Sequence, residues 1–435
     1  MPPVLDPYVA SGALAVTDYP TSTLGWLEKL IGFNTVSRFS NQALITYVAS
    51  YCQRLGLTPF LTFNSDQTKA NLFVTVAAVG DMCIDGQCNE LSGGFVLSGH
   101  TDVVPVDGQK WDTDPFVATI KQDKVYGRGS CDMKGYLACC LQLLPQIVRA
   151  AEEGRLLKPI HLALSYDEEV GCLGVPLLLA DLKARGINPA YCIVGEPTMM
   201  KMVTAHKGIQ VYRCRVHGKS AHSSLVPQGV NAISYASQII NFIDELVVKL
   251  AKRQDQDFAF DVPYATLSVG TIEGGTATNI VPNLCEFTFD YRNLPHMTEA
   301  DAIAPIRAFI QTLLPRMHAI DEHTGIELIR EENVPAMTDA DSQALQQLIE
   351  GLVADKYRHK VAYATEGGYF SQANIPTVIC GPGDIAHAHK PNEFGTLQQL
   401  TTCEQFLQQI LQVCCEPTAG KALANALSPT GAKNC

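Results

Sequence analysis

Residues 95–105, FVLSGHTDVVP, form a short apolar run that leads directly into His100 and Asp102. An apolar run of this length is typical of a strand buried in an α/β sheet. Comparable runs lead into polar residues at 125–132 (VYGRGSCD), 160–169 (IHLALSYDEE) and 191–196 (YCIVGE). Helical patterns separate these runs, and the alternation predicts an α/β fold with an open, mostly parallel sheet.

A second pattern begins near residue 204 and predicts a smaller α+β domain inserted into the first. Its elements are expected in the order strand, helix, strand, strand, helix, at residues 208–217, 231–252, 266–272, 284–292 and 299–314. This order favours an antiparallel sheet with helices packed on it. We therefore expect a catalytic domain at 1–203 and 318–415 and an inserted domain at 204–317. Residues 416–435, rich in Ala, Gly, Lys and Pro, are expected to form a poorly ordered tail.

The composition is that of a globular protein and excludes several classes. Hydrophobic residues make up 46% and charged residues 17% of the 435 residues, which allows a large core. The net charge is −12 and Lys and Arg are scattered, so no nucleic-acid partner is expected. The apolar stretch 137–148 is interrupted by Gln and Pro and is too short to span a bilayer, so no membrane partner is expected.

The amino terminus and the cysteines indicate a reducing compartment. Residues 1–16, MPPVLDPYVASGALAV, contain no Lys or Arg and lack the continuous apolar run of a secretory signal. The 15 cysteines include no C-x-x-C pair, so zinc-ribbon and thioredoxin-like sites are not expected. We expect a cytoplasmic protein whose cysteines are mostly buried and reduced. Cys83 and Cys88 lie in a polar, Gly-containing segment, where a local disulfide is the alternative.

Seven polar residues follow the carboxyl ends of predicted strands. They are His100, Asp102, Asp132, Glu168, Glu169, Glu196 and His389. In open α/β sheets, groups at these strand ends meet at one edge of the sheet. A single strand-end Asp or His is usually a cap or a satisfied core group, but five strand ends in succession are hard to explain in that way. We expect the side chains to converge, with cations offsetting the repulsion between carboxylates.

The donor types predict the kind of metal site. Two imidazoles and three carboxylates suit zinc, cobalt or manganese better than copper or an iron–sulfur cluster. Five side chains would crowd one ion, whereas two ions about 3.5–4 Å apart that share a carboxylate would use them all. Such a pair of ions lowers the pKa of a water and polarises a carbonyl, which predicts hydrolytic chemistry.

Two short motifs suggest how roles are divided. In His100-x-Asp102, the second residue can accept a hydrogen bond from the free imidazole nitrogen and so fix the tautomer of the ring. In the pair Glu168-Glu169, neighbouring side chains point in different directions, so one can bind metal while the other takes a proton from water. The alternatives are a turn aspartate at position 102 and a solvated acidic turn at 167–169.

Seven motifs, in this order, resemble those of the M20 metallopeptidases. They are SGHTDVVP (98–105), GRGSCDMKG (127–135), DEEVG (167–171), GEPT (195–198), HGKSAHSS (217–224), ATNIVPN (277–283) and HAHKP (387–391). The resemblance covers about residues 23–412. Within the family, the chain most resembles the acetylornithine deacetylases, on GEPT…AHKG (195–208), GKSAHSS…GVNAI (218–233), ATE (364–366) and GPGD…AHKPNE (381–393).

The resemblance implies a zinc-peptidase type of catalytic domain with an inserted lid and dimerisation domain, in a homodimer. It implies two divalent ions, zinc or cobalt. The ligands would be Asp132 between the ions, His100 and Glu196 on one ion, and Glu169 and His389 on the other. Glu168 would be the general base and Asp102 would orient His100. The family also often has a cis peptide after the bridging aspartate, here Asp132-Met133.

Five further residues would contact the substrate or the oxyanion. His222, in the inserted domain, would stabilise the oxyanion in its own site or in the partner's, and its alternative is an exposed strand-end histidine. Asn279 would contact substrate. Arg292 would bind a substrate carboxylate with two hydrogen bonds, or else form a surface salt bridge. Glu366 would meet the ammonium group of ornithine, or else pair with a Lys or Arg, and Gly367 with its neighbouring glycine would let the backbone approach the substrate.

The implied reaction is removal of the acetyl group from N2-acetyl-L-ornithine, which gives ornithine and acetate, a step of arginine biosynthesis. The substrate would thus be a small acylated amino acid. Within the family the alternatives are an N-acyl-amino-acid deacylase, a succinyl-diaminopimelate desuccinylase and a dipeptidase. A metal-binding or scaffold protein with a degenerate site is an alternative of another class, and the intact ligand set together with Glu168 argues against it.

Overall fold

A computed structural model of the chain describes residues 19–78 and 91–416, together with the backbone of 83–84 and 87–88. Within these residues the helices are α1 (Thr23–Ile31), α2 (Gln42–Arg54), α3 (Lys134–Glu152), α4 (Val175–Ala184), α5 (Ala232–Leu250), α6 (Glu299–His318), α7 (Gln343–Leu352), α8 (Gly367–Gln372) and α9 (Leu397–Cys415). None of these helices has the length and apolar character needed to cross a bilayer.

The strands belong to two main sheets and two small ones. They are β1 (Phe60–Phe63), β2 (Ala70–Val76), β3 (Cys83–Ile84), β4 (Gln87–Cys88), β5 (Phe95–His100), β6 (Thr119–Lys121), β7 (Lys124–Tyr126), β8 (Ile160–Ser165), β9 (Tyr191–Pro197), β10 (Val203–His206), β11 (Ile209–His217), β12 (Thr266–Gly274), β13 (Leu284–Arg292), β14 (Gly325–Val334), β15 (His359–Val361), β16 (Thr377–Gly381) and β17 (Phe394–Thr396). The expected tail, beyond residue 416, and the side chains of Cys83 and Cys88 lie outside the described residues.

The large sheet has the strand order β1-β2-β8-β5-β9-β16-β10-β15. Its four central strands, β8, β5, β9 and β16, are parallel, and β2 and β10 on either side run antiparallel to them. This confirms the expected α/β fold with a mostly parallel central sheet. In the register of the sheet, His100 lies opposite Ser165 and Ser98 lies opposite Val194, so β5, β8 and β9 end at the same edge.

Helices cover both faces of the large sheet. On one face, α1, α2, α3 and α9 contribute to a continuous apolar core that includes the fully buried Trp26 and Tyr136. On the other face, residues of α4 and α8 pack with the sheet in a second core around Leu178 and Phe370. The central strands are therefore buried on both sides, which explains why they appear in the sequence as unbroken apolar runs.

The small sheet has the order β12-β13-β11-β14 and is antiparallel throughout. Its core forms between one face of the sheet and helices α5 and α6, and includes Tyr212 and Phe287. The other face carries ion pairs, among them Arg213–Glu331 with an N–O distance of 2.6 Å. The alternating burial along β11 and β13 matches this arrangement, with one face apolar and one face polar.

We call the small sheet together with α5 and α6 the small unit. The pairing of two strands, β10 and β14, differs from what the expected domain boundaries at 204 and 318 imply. Strand β10 pairs with β15 and β16, so residue 204 belongs to the large sheet. Strand β14 pairs with β11 from residue 325 to residue 334, although the catalytic domain was expected to resume at 318. β14 is an edge strand with most of its residues partly or fully exposed, and the sequence GIELIREENV therefore lacks the apolar run that would indicate a strand.

Candidate metal centre

The five expected metal ligands lie together at the shared edge of the large sheet. His100 is the last residue of β5, and Glu196 lies near the end of β9. Asp132 lies in the turn before α3, and Glu169 lies in the turn after β8. The fifth ligand, His389, follows β16 on a loop. Five segments of the chain thus deliver one ligand each, as their positions after predicted strands suggest.

The ligands form two groups that share Asp132. In one group, His100 Nε2 lies 3.2 Å from Asp132 Oδ1 and 3.9 Å from Glu196 Oε1. In the other, His389 Nε2 lies 3.2 Å from Asp132 Oδ2 and 2.9 Å from Glu169 Oε2. The donor atoms of each group lie within 4.8 Å of one another. Each oxygen of Asp132 therefore faces a different histidine.

The two groups differ in exposure. The side chain of His100 is 1% exposed and that of Glu196 is 5% exposed. The side chain of His389, in contrast, is 50% exposed. The site is therefore closed on the side of the sheet and open to solvent on the side of His389, from which a substrate can approach.

The charges of the site are balanced only in part by the two histidines. Burial raises the pKa of Glu196 well above its usual value, and the negative charges of Asp132 and Glu168 add to this effect. Hydrogen bonds to Asp132 and Glu169 raise the pKa of His389 to about 10. Carboxylates that resist ionisation and histidines that hold protons both indicate a site with excess negative charge, which cations would compensate.

One buried atom gives a direct test of fit for a cation. Glu196 Oε1 is buried and has no hydrogen-bond partner within the described residues. A buried carboxylate oxygen without a donor is unfavourable unless a cation meets it. His100 Nε2 faces the same space, and its other nitrogen is already engaged with Asp102. The donor set and this unpaired oxygen fit a divalent metal ion.

Asp102 lies beneath the ligands but differs in detail from the expectation. His100 Nδ1 donates to the backbone carbonyl of Asp102 at 2.9 Å, whereas the nearest carboxylate oxygen is 3.6 Å away. The carbonyl, rather than the carboxylate, thus fixes the tautomer that leaves Nε2 free for metal. The carboxylate instead accepts the backbone N–H groups of Glu168 at 3.1 Å and Glu169 at 3.3 Å, and the hydroxyl of Ser37 at 2.7 Å.

The turn that carries the two glutamates is anchored rather than solvated. Asp167, with φ of 55°, is 7% exposed and pairs with Lys69 at 2.5 Å. Glu168 Oε1 accepts a weak hydrogen bond from Cys172 Sγ at 3.5 Å. Burial raises the pKa of Glu168 well above its usual value, which suits a group that takes up a proton during a reaction. The alternative of a solvated acidic turn does not describe this segment.

Two residues at the site have no role in the sequence-based interpretation. Glu393 Oε1 accepts the backbone N–H groups of Cys131 at 3.0 Å and Asp132 at 3.1 Å, and Glu393 Oε2 pairs with Arg128 at 2.6 Å. Both charged side chains are 1% exposed. Arg128 lies in the motif GRGSCD and Glu393 in AHKPNE, so charged residues within these motifs were the available signal.

The peptide between Asp132 and Met133 is cis, as the resemblance implies.

His222 and Asn279 lie together in the small unit. The ring of His222 is exposed, and its Nδ1 accepts the backbone N–H of Ser224 at 3.2 Å. In the neutral ring the proton is therefore on Nε2, which can donate to an oxyanion. Asn279 is exposed, and its backbone carbonyl accepts the backbone N–H of Ser223 at 3.0 Å. Across the described residues, the polar contacts of the His222 ring are with Ser224 and none is with a metal ligand.

Arg292 forms a salt bridge, and its role in substrate binding stays a prediction. Its Nε donates to Asp290 Oδ2 at 3.0 Å, which is the salt bridge considered as the alternative. Its terminal NH1 donates to the carbonyl of Ala362 at 3.4 Å, in the segment that leads to Glu366. The side chain is 36% exposed, and within the described residues the other guanidinium nitrogen makes no hydrogen bond, so it could donate to a carboxylate.

Glu366 and Gly367 do not have the surroundings of substrate contacts. Glu366 is 0% exposed, and its carboxylate accepts hydrogen bonds from the hydroxyls of Ser98 and Ser165. A substrate ammonium therefore does not reach Glu366 in this structure. A Cβ at Gly367 would lie 2.8 Å from the sulfur of Met337, so this glycine lets α8 pack against the protein itself. The sequence does not reveal which way the segment 364–368 faces.

Comparison with known proteins agrees with this site. A sequence model of peptidase family M20/M25/M40 matches residues 96–413. The chain belongs to peptidase family M20. It is therefore a metal-dependent hydrolase that acts on amide bonds. This confirms the family predicted from the seven motifs.

Two similar proteins of assigned activity are bacterial acetylornithine deacetylases. The chain is 31% identical over 377 residues to the acetylornithine deacetylase of Pasteurella multocida. The aligned region covers 86% of this chain and 92% of that protein. It is 33% identical over 384 residues to the acetylornithine deacetylase of Edwardsiella ictaluri. That alignment covers 87% of this chain and 92% of the deacetylase.

Solved structures share the fold at low sequence identity. The aminopeptidase PepT of Bacillus cereus superposes with a TM-score of 0.66 at 19% identity, over 91% of this chain and 98% of that one. The YXEP protein of Bacillus subtilis, described as a dinuclear metal-binding peptidase of family M20, superposes with a TM-score of 0.61 at 14% identity, over 90% and 97%. Both likenesses concern the fold.

Proposed function

We propose that this M20 enzyme removes the acetyl group from N2-acetyl-L-ornithine, gives ornithine and acetate, and serves arginine biosynthesis. The observation that carries the proposal is the pair of ligand groups that share Asp132, with Glu168 near enough for the charges of His100 and Asp132 to act on it. The two acetylornithine deacetylases at 31% and 33% identity, matched over more than four fifths of each chain, support the choice of substrate.

The proposed cofactor is a pair of divalent ions, zinc or cobalt. His100, Asp132 and Glu196 would hold one ion, and Asp132, Glu169 and His389 the other. Imidazole and carboxylate donors of this kind suit either metal. When bound, the ions would supply Lewis acidity, which lowers the pKa of a water and polarises the amide carbonyl.

Within this mechanism the protein moves one proton and stabilises one charge. Glu168 takes a proton from the attacking water and later gives it to the nitrogen of the leaving amine, so the carboxylate is regenerated. The N–H of His222 Nε2 donates to the oxyanion that forms on the former carbonyl oxygen. Arg292 and Asn279 are proposed to hold the α-carboxylate and the rest of the amino acid.

A panel of substrates tests the proposal. Protein reconstituted with zinc or cobalt is assayed on N-acetylornithine, N-acetylmethionine, N-succinyl-diaminopimelate and a dipeptide. The highest kcat/KM is expected with N-acetylornithine. A preference for another member identifies a different amidohydrolase of the family, and no hydrolysis by the metal-loaded protein would indicate a degenerate site.

We also propose a homodimer formed through the small unit. Several apolar side chains of this region are exposed: Leu225 and Val226 shortly after His222, Ile272 on the edge strand β12, Ile280 after that strand, and Leu284 at the start of β13. Burial of such side chains is typical of a subunit interface. His222 forms an isolated bridge with Ile280, so an interface here would bring the histidine close to a partner chain.

Mixing two inactive variants shows in which site His222 acts. His222→Ala and Glu168→Gln proteins are unfolded together, refolded and assayed against each protein alone. If His222 acts in the partner's site, mixed dimers contain one complete site and activity returns. If it acts in its own site, the mixture stays inactive. Sedimentation of the wild-type protein as a monomer would contradict the proposed dimer.

A cytoplasmic location is proposed from the cysteines. The 12 cysteines whose side chains are described are all unpaired, and 11 of them are buried. Proteins of oxidising compartments tend to pair their cysteines, whereas thiols persist in a reducing compartment. Fractionation of the producing cell should therefore recover the protein with cytoplasmic markers.

A further inference from the structure

A chain of three polar side chains, two of them fully buried, connects the backbone of Asp132 to the backbone of His389. It begins at Glu393, whose Oε1 accepts the N–H of Asp132 at 3.1 Å and that of Cys131 at 3.0 Å. The other oxygen of the same carboxylate accepts from Arg128 NH1 at 2.6 Å. Neither side of this ion pair is more than 1% exposed.

The chain continues through Gln109 to the opposite ligand. Arg128 NH2 donates to Gln109 Oε1 at 2.6 Å, and Gln109 Nε2 donates to the carbonyl of His389 at 3.0 Å. The Arg128 guanidinium also lies over the ring of Trp111, 5.2 Å from its centroid. One continuous set of hydrogen bonds thus joins Asp132 and His389, two of the three residues of the second ligand group.

His389 depends on such a connection more than His100 and Glu196 do. Its backbone is in the left-handed region, with φ of 63°, and its side chain is half exposed. Packing around the ring therefore contributes little to its position. His100 and Glu196, in contrast, lie on central strands of the large sheet, whose backbone hydrogen bonds fix them.

The chemistry of this connection suggests that it positions the two loops rather than stabilising the fold. A buried ion pair often stabilises a fold no more than apolar residues of similar size would, although removal of one partner is strongly destabilising. Arg128 contributes a rigid fork in which one terminal nitrogen bonds Glu393 and the other bonds Gln109, whereas the single nitrogen of a lysine cannot occupy both positions. Geometry of this kind holds two loops at a fixed separation.

We propose that Glu393, Arg128 and Gln109 are positioning residues that set the separation of Asp132 and His389, and thereby the affinity for the ion held by Asp132, Glu169 and His389. The inference rests on the two-metal site of the proposed function and not on its substrate. Residues that orient metal ligands typically change metal affinity about 10- to 100-fold when they are replaced.

Metal titration of the Gln109→Ala variant tests the proposal. Metal-stripped protein is titrated with Zn²⁺ by calorimetry and with Co²⁺ by absorption, and the binding steps are assigned with His389→Ala and His100→Ala as reference variants. Gln109→Ala should weaken the step that His389→Ala removes, about 10-fold or more. The step that His100→Ala removes should be unchanged. Gln109 is only partly buried, so this variant is expected to fold.

Two further variants and one control complete the test. Glu393→Gln should weaken the same binding step. Arg128→Lys should weaken it as well, although the charge is kept, because lysine lacks the two guanidinium nitrogens that bond Glu393 and Gln109. The control is Gln346→Ala, since Gln346 is also a glutamine with two hydrogen bonds, to Ser342 Oγ at 2.7 Å and to the carbonyl of Asp339 at 2.9 Å. This control should lower the unfolding temperature and leave both binding steps unchanged.

Several results would overturn the proposal. They are wild-type binding at both steps in Gln109→Ala, equal weakening of both steps, a loss of affinity in Gln346→Ala, and a wild-type protein that binds no ion. The readout needs no substrate. A protein that binds metal as expected but hydrolyses no member of the panel would therefore leave this inference intact and contradict only the proposed function.

Discussion

Glu168 and Glu169 are neighbours with the same anchor and different surroundings. The backbone N–H groups of both donate to the carboxylate of Asp102. The side chain of Glu169 then contacts His389 at 2.9 Å, whereas the hydrogen bond to Glu168 Oε1 comes from the weak donor Cys172. One glutamate is thus placed among ligands, and the other keeps the capacity to take up a proton.

Glu168→Gln should therefore abolish most turnover without loss of metal. The amide cannot accept the proton of the attacking water, and loss of a general base typically lowers kcat by about 10²- to 10⁴-fold. Metal content, measured by mass spectrometry, should equal that of the wild type. The matched variant is Glu169→Gln, which should lose metal. A fully active Glu168→Gln protein would contradict the assignment of Glu168 as the general base.

Glu366→Gln should affect stability rather than substrate preference. The buried carboxylate accepts hydrogen bonds from Ser98 and Ser165, and the amide of glutamine would force one hydroxyl to reverse its role. The expected loss is about 1 kcal/mol in the free energy of unfolding. The ratio of kcat/KM for N-acetylornithine over N-acetylmethionine should stay constant. If that ratio collapses while stability holds, Glu366 contacts the substrate after all.

The identity of the clustered residues was predictable, but their detailed contacts were not. His100, Asp132 and Glu196 each follow an apolar run, and strand ends of a parallel sheet share an edge. No such rule tells which oxygen of Asp102 meets His100, because that depends on the backbone path after the strand. Glu366 was misjudged for a related reason, since the sequence of a loop does not show whether it faces the pocket or the core.

Packing between β9 and α3 fixes the backbone beside Glu196. A Cβ at Gly195 would lie 2.0 Å from Cγ of the fully buried Tyr136 ring. Only glycine at this position lets the strand lie this close to the helix. The contact thus links the packing of two elements to the position of a ligand one residue away.

Gly195→Ala should consequently lower both stability and metal affinity. The added methyl group overpacks the contact with Tyr136, for which we expect a loss of about 3 kcal/mol in the free energy of unfolding. Gly351→Ala is the matched control, since Gly351 is helical and a Cβ there meets no atom within 4 Å. The control should gain about 0.5–1 kcal/mol. Denaturant unfolding of both proteins, with and without Zn²⁺, checks the pair, and equal stabilities would contradict the packing argument.

The elements that the sequence predicts are those with an unambiguous burial pattern. β5, β8 and β9 are buried throughout, and their apolar runs identify them. α5 is amphipathic and was expected at 231–252, close to its observed bounds. β14 and β15 lie at edges of their sheets and are largely half-exposed or exposed, so pairing rather than burial defines them. For this reason the pairing of β14 with β11 beyond residue 318 was not predicted.

At the scale of the whole molecule, two buried histidines make the fold sensitive to acid. His161 on β8 accepts from Thr75 Oγ1 at Nδ1, 2.8 Å away, and donates to the carbonyl of Gly93 at 2.9 Å. His206, at the end of β10, donates from Nδ1 to the carbonyl of Lys207 at 2.8 Å. Both residues are 0% exposed, and burial lowers the pKa of each to about 4, from 6.5.

The direction of the pH dependence follows from these pKa values. Between pH 6.5 and about 4, the unfolded chain binds protons at both histidines while the folded chain does not. The contribution of these two histidines to the free energy of unfolding is therefore fully present above pH 6.5 and is lost as the pH drops through this window. A depression of this size corresponds to about 3 kcal/mol for each histidine.

His161→Gln should remove about half of this histidine-dependent loss, because glutamine can both accept from Thr75 and donate to Gly93 without a titrating ring. Denaturant unfolding at matched metal loading, followed across the window from pH 6.5 towards 4, measures the slope for wild type and variant. The variant should have the shallower slope, and His161→Gln with His206→Gln the shallowest. Replacement of the exposed His323 by Gln should leave the slope unchanged. Identical slopes for wild type and the double variant would mean that the two rings are not held neutral by burial.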